Sequence, residues 1–401
     1  MPEPAAFPFP SDHPLAPAPA LAEARKGGAP MRIRLPFGDP AWLVTRYEDA
    51  RHVLSSTDFG RDALRAGIPP ERTARIGPID VSESTIMTMD PPRHTRVRGL
   101  VGKVFTPRRV DRLRPWTLEV ARGLVADMRR QGPPADLVRD FALPLPIEVI
   151  CELLGVPSAD RDSFHAWSDA FLSTADPDAG KVRENQARID GYLGGMAARR
   201  KGESGGGLVG ALAREHESGG EGGLTEEELL GLLRALLIAG HETTASLIPG
   251  FVHLLLGGDG FSRLAADPGL IPGAVEELLR SVPLIRPGSF TRYVLRDTEL
   301  GGVRIAAGEQ VVVELSAANR DPEAFPDPDE LDLARTPNPH IAFGHGIHHC
   351  VGASLARMEL QVALEALTSD LPGLRPAVPL DRIRWNEERF VRAAEAFPVE
   401  W

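Results

Sequence analysis

The segment Phe343–Gly352, FGHGIHHCVG, sets a single cysteine among glycines and histidines at the start of a largely apolar helical stretch, Val351–Leu367. A cysteine at a helix N-terminus meets unpaired backbone N–H groups and the positive end of the helix dipole. Its proton is held weakly there, which makes the Cys350 sulfur a candidate metal ligand. Gly344, Gly346 and Gly352 lack the Cβ atoms that would keep a large flat group away from the backbone. The chemistry this spacing suggests is a thiolate cradle for a planar cofactor. Two other readings stay open for the segment alone: a small buried hydrophobe, and a zinc site built with His345, His348 and His349. The other cysteine, Cys151, lies in the apolar stretch IEVICELLGV with no ligand neighbours.

A second chemical stretch is Ala239-Gly240-His241-Glu242-Thr243-Thr244. Gly240 in a helix interior costs about 1 kcal/mol relative to alanine, so something must approach the backbone closely there. Thr243 lies one turn after Ala239, and its hydroxyl can bond back to that carbonyl, bending the helix and opening a groove. Glu242 adds a titratable group, whereas His241 reads as structural. In MDPPRHTRVR, His94 and Arg98 share one helical face and can reach one anion. Between Arg93 and Arg114 the chain also carries Arg96, Lys103, Arg108, Arg109 and Arg112 against the single acid Asp111, a local basic field.

Helices must position most of these groups. Short strands are expected at Met31–Leu35 and Ala41–Thr45, then a helix at Tyr47–Ser56. Apolar residues recur at three and four from Thr106 to Leu154, with breaks at Gly132-Pro133-Pro134 and at Pro144 and Pro146. Helical patterning continues through Asp160–Leu172, Asp178–Lys201 and Leu208–His216, the last between glycine-rich surface connections. Thr225 with Glu228 is a capping box that opens a long apolar helix, Glu226–Leu256, with a kink expected at Pro249. A helix at Pro272–Val282 and strand-like patterning from Ser289 to Leu315, with a turn at Gly308-Glu309, precede the cysteine segment. The expected class is mainly α with small β-sheets: a proline-rich N-terminal arm, 1–30, and a single large domain, 31–401.

The 401 residues carry 45 Lys and Arg against 56 Asp and Glu, a net charge of −11. That balance argues against nucleic acid as a partner. The start has no basic n-region or apolar run, and no stretch reaches the ~20 apolar residues of a membrane span. Two distant cysteines suggest a reducing compartment, so a cytoplasmic protein without membrane partners is expected.

FGHGIHHCVG meets F-G-x-G-x-H-x-C-x-G at every fixed position, and AGHETT meets A/G-G-x-D/E-T-T/S. Glu277-Leu278-Leu279-Arg280 meets E-x-x-R, and Asn319-Arg320-Asp321-Pro322 and Arg335 follow it in the chain. These segments resemble the cytochrome P450 family, and the resemblance extends from about Ala41 to the C-terminus. It implies the P450 fold around haem b (iron protoporphyrin IX), with Cys350 as axial thiolate and Phe343, Gly344 and Gly352 beside it. It assigns the haem propionates to His94, Arg98, Arg292 and His348, the distal haem face to Ala239 and Gly240, and oxygen activation and proton supply to Thr243 and Glu242. The Glu277, Arg280 and Arg335 triad is assigned to folding.

The implied activity is a monooxygenase that hydroxylates or epoxidises a mainly hydrophobic substrate with dioxygen and electrons from a ferredoxin and its NAD(P)H-dependent reductase. The basic segment would dock the ferredoxin. Substrate contacts fall on Ile86, Met87, Ala235, Ile238, Leu284, Ile285, Phe390 and Val391, all apolar. Similarity to actinobacterial tailoring enzymes suggests a polyketide, macrolide or peptide secondary metabolite. The alternatives are oxidative coupling or dehydrogenation on the same fold, and a non-catalytic haem sensor or carrier, which has no need of Glu242 and Thr243.

Overall fold

The computed structural model describes residues 3–75, 85–103, 105–157, 160, 179–199, 207–217, 223–387 and 389–401. Apart from Asp160, the helix expected over Asp160–Leu172 lies outside the described residues. The helices, in chain order, are α1 (Pro19–Lys26), α2 (Tyr47–Ser55), α3 (Arg93–Gly102), α4 (Pro107–Gln131), α5 (Pro144–Leu154), α6 (Ala179–Arg199), α7 (Gly207–Glu217), α8 (Glu226–Leu256), α9 (Gly260–Ala266), α10 (Ile271–Ser281), α11 (Leu315–Ala318) and α12 (Ala353–Asp370). The described residues group into two compact units, 1–90 with 276–350, and 91–275 with 351–401.

The first unit is built on a six-stranded sheet. Its strands are β1 (Ala5–Ala6), β2 (Met31–Arg34), β3 (Ala41–Val44), β4 (Phe59–Gly60), β6 (Thr291–Val294) and β9 (Gln310–Val313), in the order β1-β2-β3-β9-β6-β4, with β7 (Thr298–Leu300) and β8 (Val303–Ile305) paired as a separate hairpin between β6 and β9 in the chain. Every residue of β3, β6 and β9 is buried, as central strands covered on both faces require. Alternation sorts the side chains: Trp42, Val44, Val311 and Val313 join one core, and Ala41, Leu43 and Val312 the other. Residues of the proline-rich arm belong to this second core, for β1 pairs with β2 and Phe7, Ala18 and Leu21 are buried in it. The Gly308 turn has φ +82° and leads into β9, as its sequence suggests.

Glu277 is the polar hub of this unit. Arg280 grips it from one side, Arg335 Nε donates to both carboxylate oxygens at 3.1 Å, and the Asp332 amide and Asn338 side chain complete the set. The remaining Arg280 donors close on the carbonyls of Asn319, Pro328 and Glu330. The buried charges are tolerated because both Glu277 oxygens and all the Arg280 donors find partners.

The second unit is mostly helical: α4 lies along α12, and α5 along α8. Gly132 ends α4 with φ +82°, and Pro144 begins α5 instead of interrupting a helix, since the first turn needs no N–H from it. The helix α8 runs 31 residues from a capping box in which Glu228 N donates to Thr225 Oγ1 at 3.1 Å and Thr225 N to Glu228 Oε2 at 3.0 Å. A small sheet joins β5 (Ala135–Asp136) to the C-terminal strand Pro398–Glu400. No helix among the described residues is long and apolar enough to cross a membrane.

Candidate active site

The cysteine segment, in the first unit, is a backbone-defined loop. Gly344 and Gly346 take φ of +74° and +71°, the left-handed region that favours glycine. A Cβ on Gly346 would run into the Leu54 carbonyl at the end of α2. The close approach of a neighbouring helix therefore requires glycine here, a reason that the sequence context did not supply. Hydrogen bonds close the loop, His349 N to Gly346 O at 3.1 Å and Cys350 N to Phe343 O at 2.9 Å. The Phe343 ring lies 6.3 Å from that of His349.

Cys350 is exposed at the end of this loop, whereas Cys151 is fully buried in α5. The helix expected from Val351 starts at Ala353, with Gly352 at the N-cap and a turn intervening. Burial beside the Arg51 guanidinium lowers the pKa of His345. No cluster of three or more metal-ligating side chains occurs among the described residues, which leaves the zinc reading without a ligand set.

Arg292, on β6 in the same unit and paired there with Val311, is 5 % exposed, and its side chain makes no hydrogen bond or ion pair with a described residue. Burial first, and then the adjacent Arg61 guanidinium, push its pKa well down. A buried guanidinium in this state calls for an anion, and a haem propionate has the right charge and bidentate geometry. His348 lies in the short turn Gly346–His348 and is half-buried.

In the second unit, AGHETT occupies the middle of α8. Thr243 Oγ1 donates to the Ala239 carbonyl at 2.9 Å, the back-bond expected from the spacing. His241 is buried with Nδ1 2.9 Å from the Leu237 carbonyl, a structural role, and Glu242 is buried beside it. A Cβ on Gly240 would lie 2.8 Å from Ile150 Cδ1. The close approach inferred at Gly240 thus comes from α5. The open side of the helix is different: Ala239 is exposed and Ala235, Ile238 and Thr243 are half-buried in a helix otherwise largely buried. On α3, His94 is buried and Arg98 half-buried one turn later.

Of the other expected contacts, the first unit holds Ile86, buried, Met87, 41 % exposed, and the half-buried Leu284 and Ile285. The second holds Ala235, Ile238, the half-buried Phe390 and the buried Val391.

A family profile described as Cytochrome P450 matches residues 270–370. The mycinamicin IV hydroxylase/epoxidase of Micromonospora griseorubida is 46% identical over 400 residues, covering 100% of this chain and 99% of that protein. The chain belongs to the cytochrome P450 family. The cytochrome P450 monooxygenase PikC of Streptomyces venezuelae is 41% identical over 96% of this chain and 91% of its own length. A solved structure of the mixed-function P450 MycG, 46% identical, covers 100% of both chains with a TM-score of 0.92. This P450 is thus a monooxygenase by family, and the family brings haem with a cysteine thiolate.

Two features of this P450 escaped sequence reading. The basic field of α3 and α4 is partly neutralised by acids remote in sequence: Arg93 and Arg96 reach Glu228, Lys103 reaches Glu215 at 3.3 Å, and Arg114 reaches Glu365 at 2.7 Å. Arg108 and Arg112 stay exposed. Glu359 on α12 is fully buried, and burial drives its pKa well up, with the Thr244 hydroxyl of α8 facing it and opposing the shift. The one signal for it was an acid on the apolar face of MELQVALEAL.

Proposed function

We propose that this P450 inserts one oxygen atom from dioxygen into a mainly hydrophobic macrolide or polyketide, by hydroxylation or epoxidation. Haem b, ligated by Cys350, supplies the binding and reduction of dioxygen. The observation that carries the ligand assignment is the exposed Cys350 thiol at the end of a loop whose two left-handed glycines and closing hydrogen bonds hold it in one place. His94, Arg98, Arg292 and His348 answer the propionates, with the buried Arg292 as the strongest anion receptor. Phe343, Gly344 and Gly352 support the thiolate loop.

On the distal side, the small exposed Ala239 leaves the α8 backbone low while Gly240 lets α5 pack close, and Thr243 holds a proton at Oγ1 that can turn from the Ala239 carbonyl toward the open side of the helix. Glu242 restores that proton, a short acid relay. Ile86, Met87, Ala235, Ile238, Leu284, Ile285, Phe390 and Val391 form the apolar surroundings of the substrate. The exposed Arg108 and Arg112, with Arg109, would meet an acidic ferredoxin served by an NAD(P)H-dependent reductase, in the cytoplasm.

The macrolide class rests on similarity over the whole chain to the mycinamicin IV enzyme. A second reading, oxidative coupling, is favoured by similarity to a solved P450 described as having biaryl coupling reactivity, 38% identical over 100% of this chain with a TM-score of 0.89. Purified protein should show the red-shifted Soret band of a thiolate-bound haem in its reduced carbon monoxide complex, and Cys350→Ala should lose that band. Protein isolated from haem-replete cells with zinc and no haem would overturn the assignment. Incubation with mycinamicin IV, ferredoxin and reductase should give a product heavier by one oxygen; loss of hydrogen without oxygen gain would favour the coupling or dehydrogenating reading.

A further inference from the structure

Arg61 follows β4 and is half-buried. Its Nε donates to the Met87 carbonyl at 2.9 Å and its Nη1 to the Thr291 carbonyl at 2.8 Å, so one side chain joins two segments far apart in the chain. The guanidinium carbon sits 5.2 Å from the Phe290 ring centroid. Burial, its main perturbation, lowers its pKa, so a charge is being partly removed from water to hold neutral carbonyls. A planar fork does this with fixed geometry between its two acceptors, which a flexible ammonium does not.

The backbone beside it is held by the same segment. The amides of Arg61 and Asp62 donate to the two carboxylate oxygens of Asp90, at 2.9 and 3.2 Å, and a Cβ on Gly60 would collide with that carboxylate. Between Thr85 and Asp90 the chain forms a turn, with the Thr88 and Met89 amides both donating to the Thr85 carbonyl at 2.9 and 3.1 Å. In this turn Ile86 is buried and Met87 is 41 % exposed. Two of its groups, the Met87 carbonyl and the Asp90 carboxylate, are therefore tied to residues 61 and 62.

We propose that Arg61 is a positioning residue for substrate specificity, clasping the Thr85–Asp90 turn to β6 so that Ile86 and Met87 present a fixed apolar wall to the organic substrate. The proposal rests on the monooxygenase reading above. No charge on Arg61 takes part in the reaction; its effect passes through the turn.

The test uses the full haem-loaded chain and two probes, imidazole and 4-phenylimidazole, titrated by the Soret shift. Imidazole reports access to iron, and the phenyl group reports the wall. Arg61→Gln should keep the carbon monoxide band and the imidazole affinity, while 4-phenylimidazole weakens about tenfold, the effect of losing one hydrogen bond to a charged group. Arg61→Lys, able to serve one carbonyl at a time, should fall between. Hydrogen exchange should quicken at residues 85–90 in both variants and not across β9. Unchanged or tighter 4-phenylimidazole binding in Arg61→Gln, or unchanged exchange at 85–90, would overturn the proposal. If Arg61→Gln does not take up haem, Arg61→Lys and the exchange data decide. Absence of haem from the unmutated protein would count against the monooxygenase reading instead, and the exchange comparison, which needs no ligand, still judges the clasp.

Discussion

Arg280 holds Glu277 in a two-point grip, Nε to Oε2 at 2.8 Å and Nη2 to Oε1 at 2.7 Å, with both side chains essentially out of solvent. Removing one partner leaves the other charge buried and unanswered. Glu277→Ala should therefore cost about 3–5 kcal/mol, read as a lowered denaturation midpoint together with poor haem incorporation. A variant that keeps the unmutated midpoint would show the triad to be dispensable for folding.

Thr243→Ala should retain haem and substrate binding while diverting electrons to peroxide, because the hydroxyl that bonds the Ala239 carbonyl is the group proposed to deliver the distal proton. Product formed per reduced nicotinamide should fall several-fold. Unaltered coupling would remove Thr243 from the relay. Glu242→Gln should slow turnover more than it changes substrate affinity.

Glu359 has a folded pKa raised by burial, with the Thr244 hydroxyl opposing the shift. The protonated form is the one the fold prefers, so stability is full below an unfolded value near 4.5 and declines as pH rises toward the raised value. Glu359→Gln, uncharged at every pH, should gain stability relative to the unmutated protein between pH ~5 and ~8. Parallel stability curves for the two proteins would contradict this.

Glu228 moves the other way. Burial alone would raise it, but hydrogen bonds from Arg96 and Arg93 and from the Thr225 amide hold it at about 2. Its contribution is complete above the unfolded value near 4.5 and is lost as pH falls from there toward 2. Glu228→Gln should cost about 2–3 kcal/mol at neutral pH and should flatten the acid limb of the stability curve, measured by urea titration at several pH values. An unchanged acid limb would place the acid sensitivity elsewhere.

Reversing Arg108, Arg109 and Arg112 to glutamate should weaken ferredoxin-driven turnover while peroxide-driven turnover persists. Salt that shortens the Debye length from roughly 10 to 3 Å should slow reduction of the unmutated protein more than of the variant. Equal salt dependence would assign electron delivery to another surface.

Local rules in the chain settled a great deal. The capping box at Thr225 and Glu228, the strands at Met31 and Ala41, the back-bond from Thr243 to Ala239 and the left-handed Gly344 before Cys350 each depend on residues within a few positions of one another, where periodicity and φ preferences act. What tertiary structure decided depends on neighbours distant in sequence. Gly346 is glycine because α2 ends against it, and Gly240 because Ile150 packs there. The cations of α3 and α4 looked like one uniform field until Glu215, Glu228 and Glu365 were brought beside them. Desolvation of Arg292 and Glu359 follows only from what surrounds them, for burial and the Coulomb field are properties of the packed chain that no spacing rule encodes.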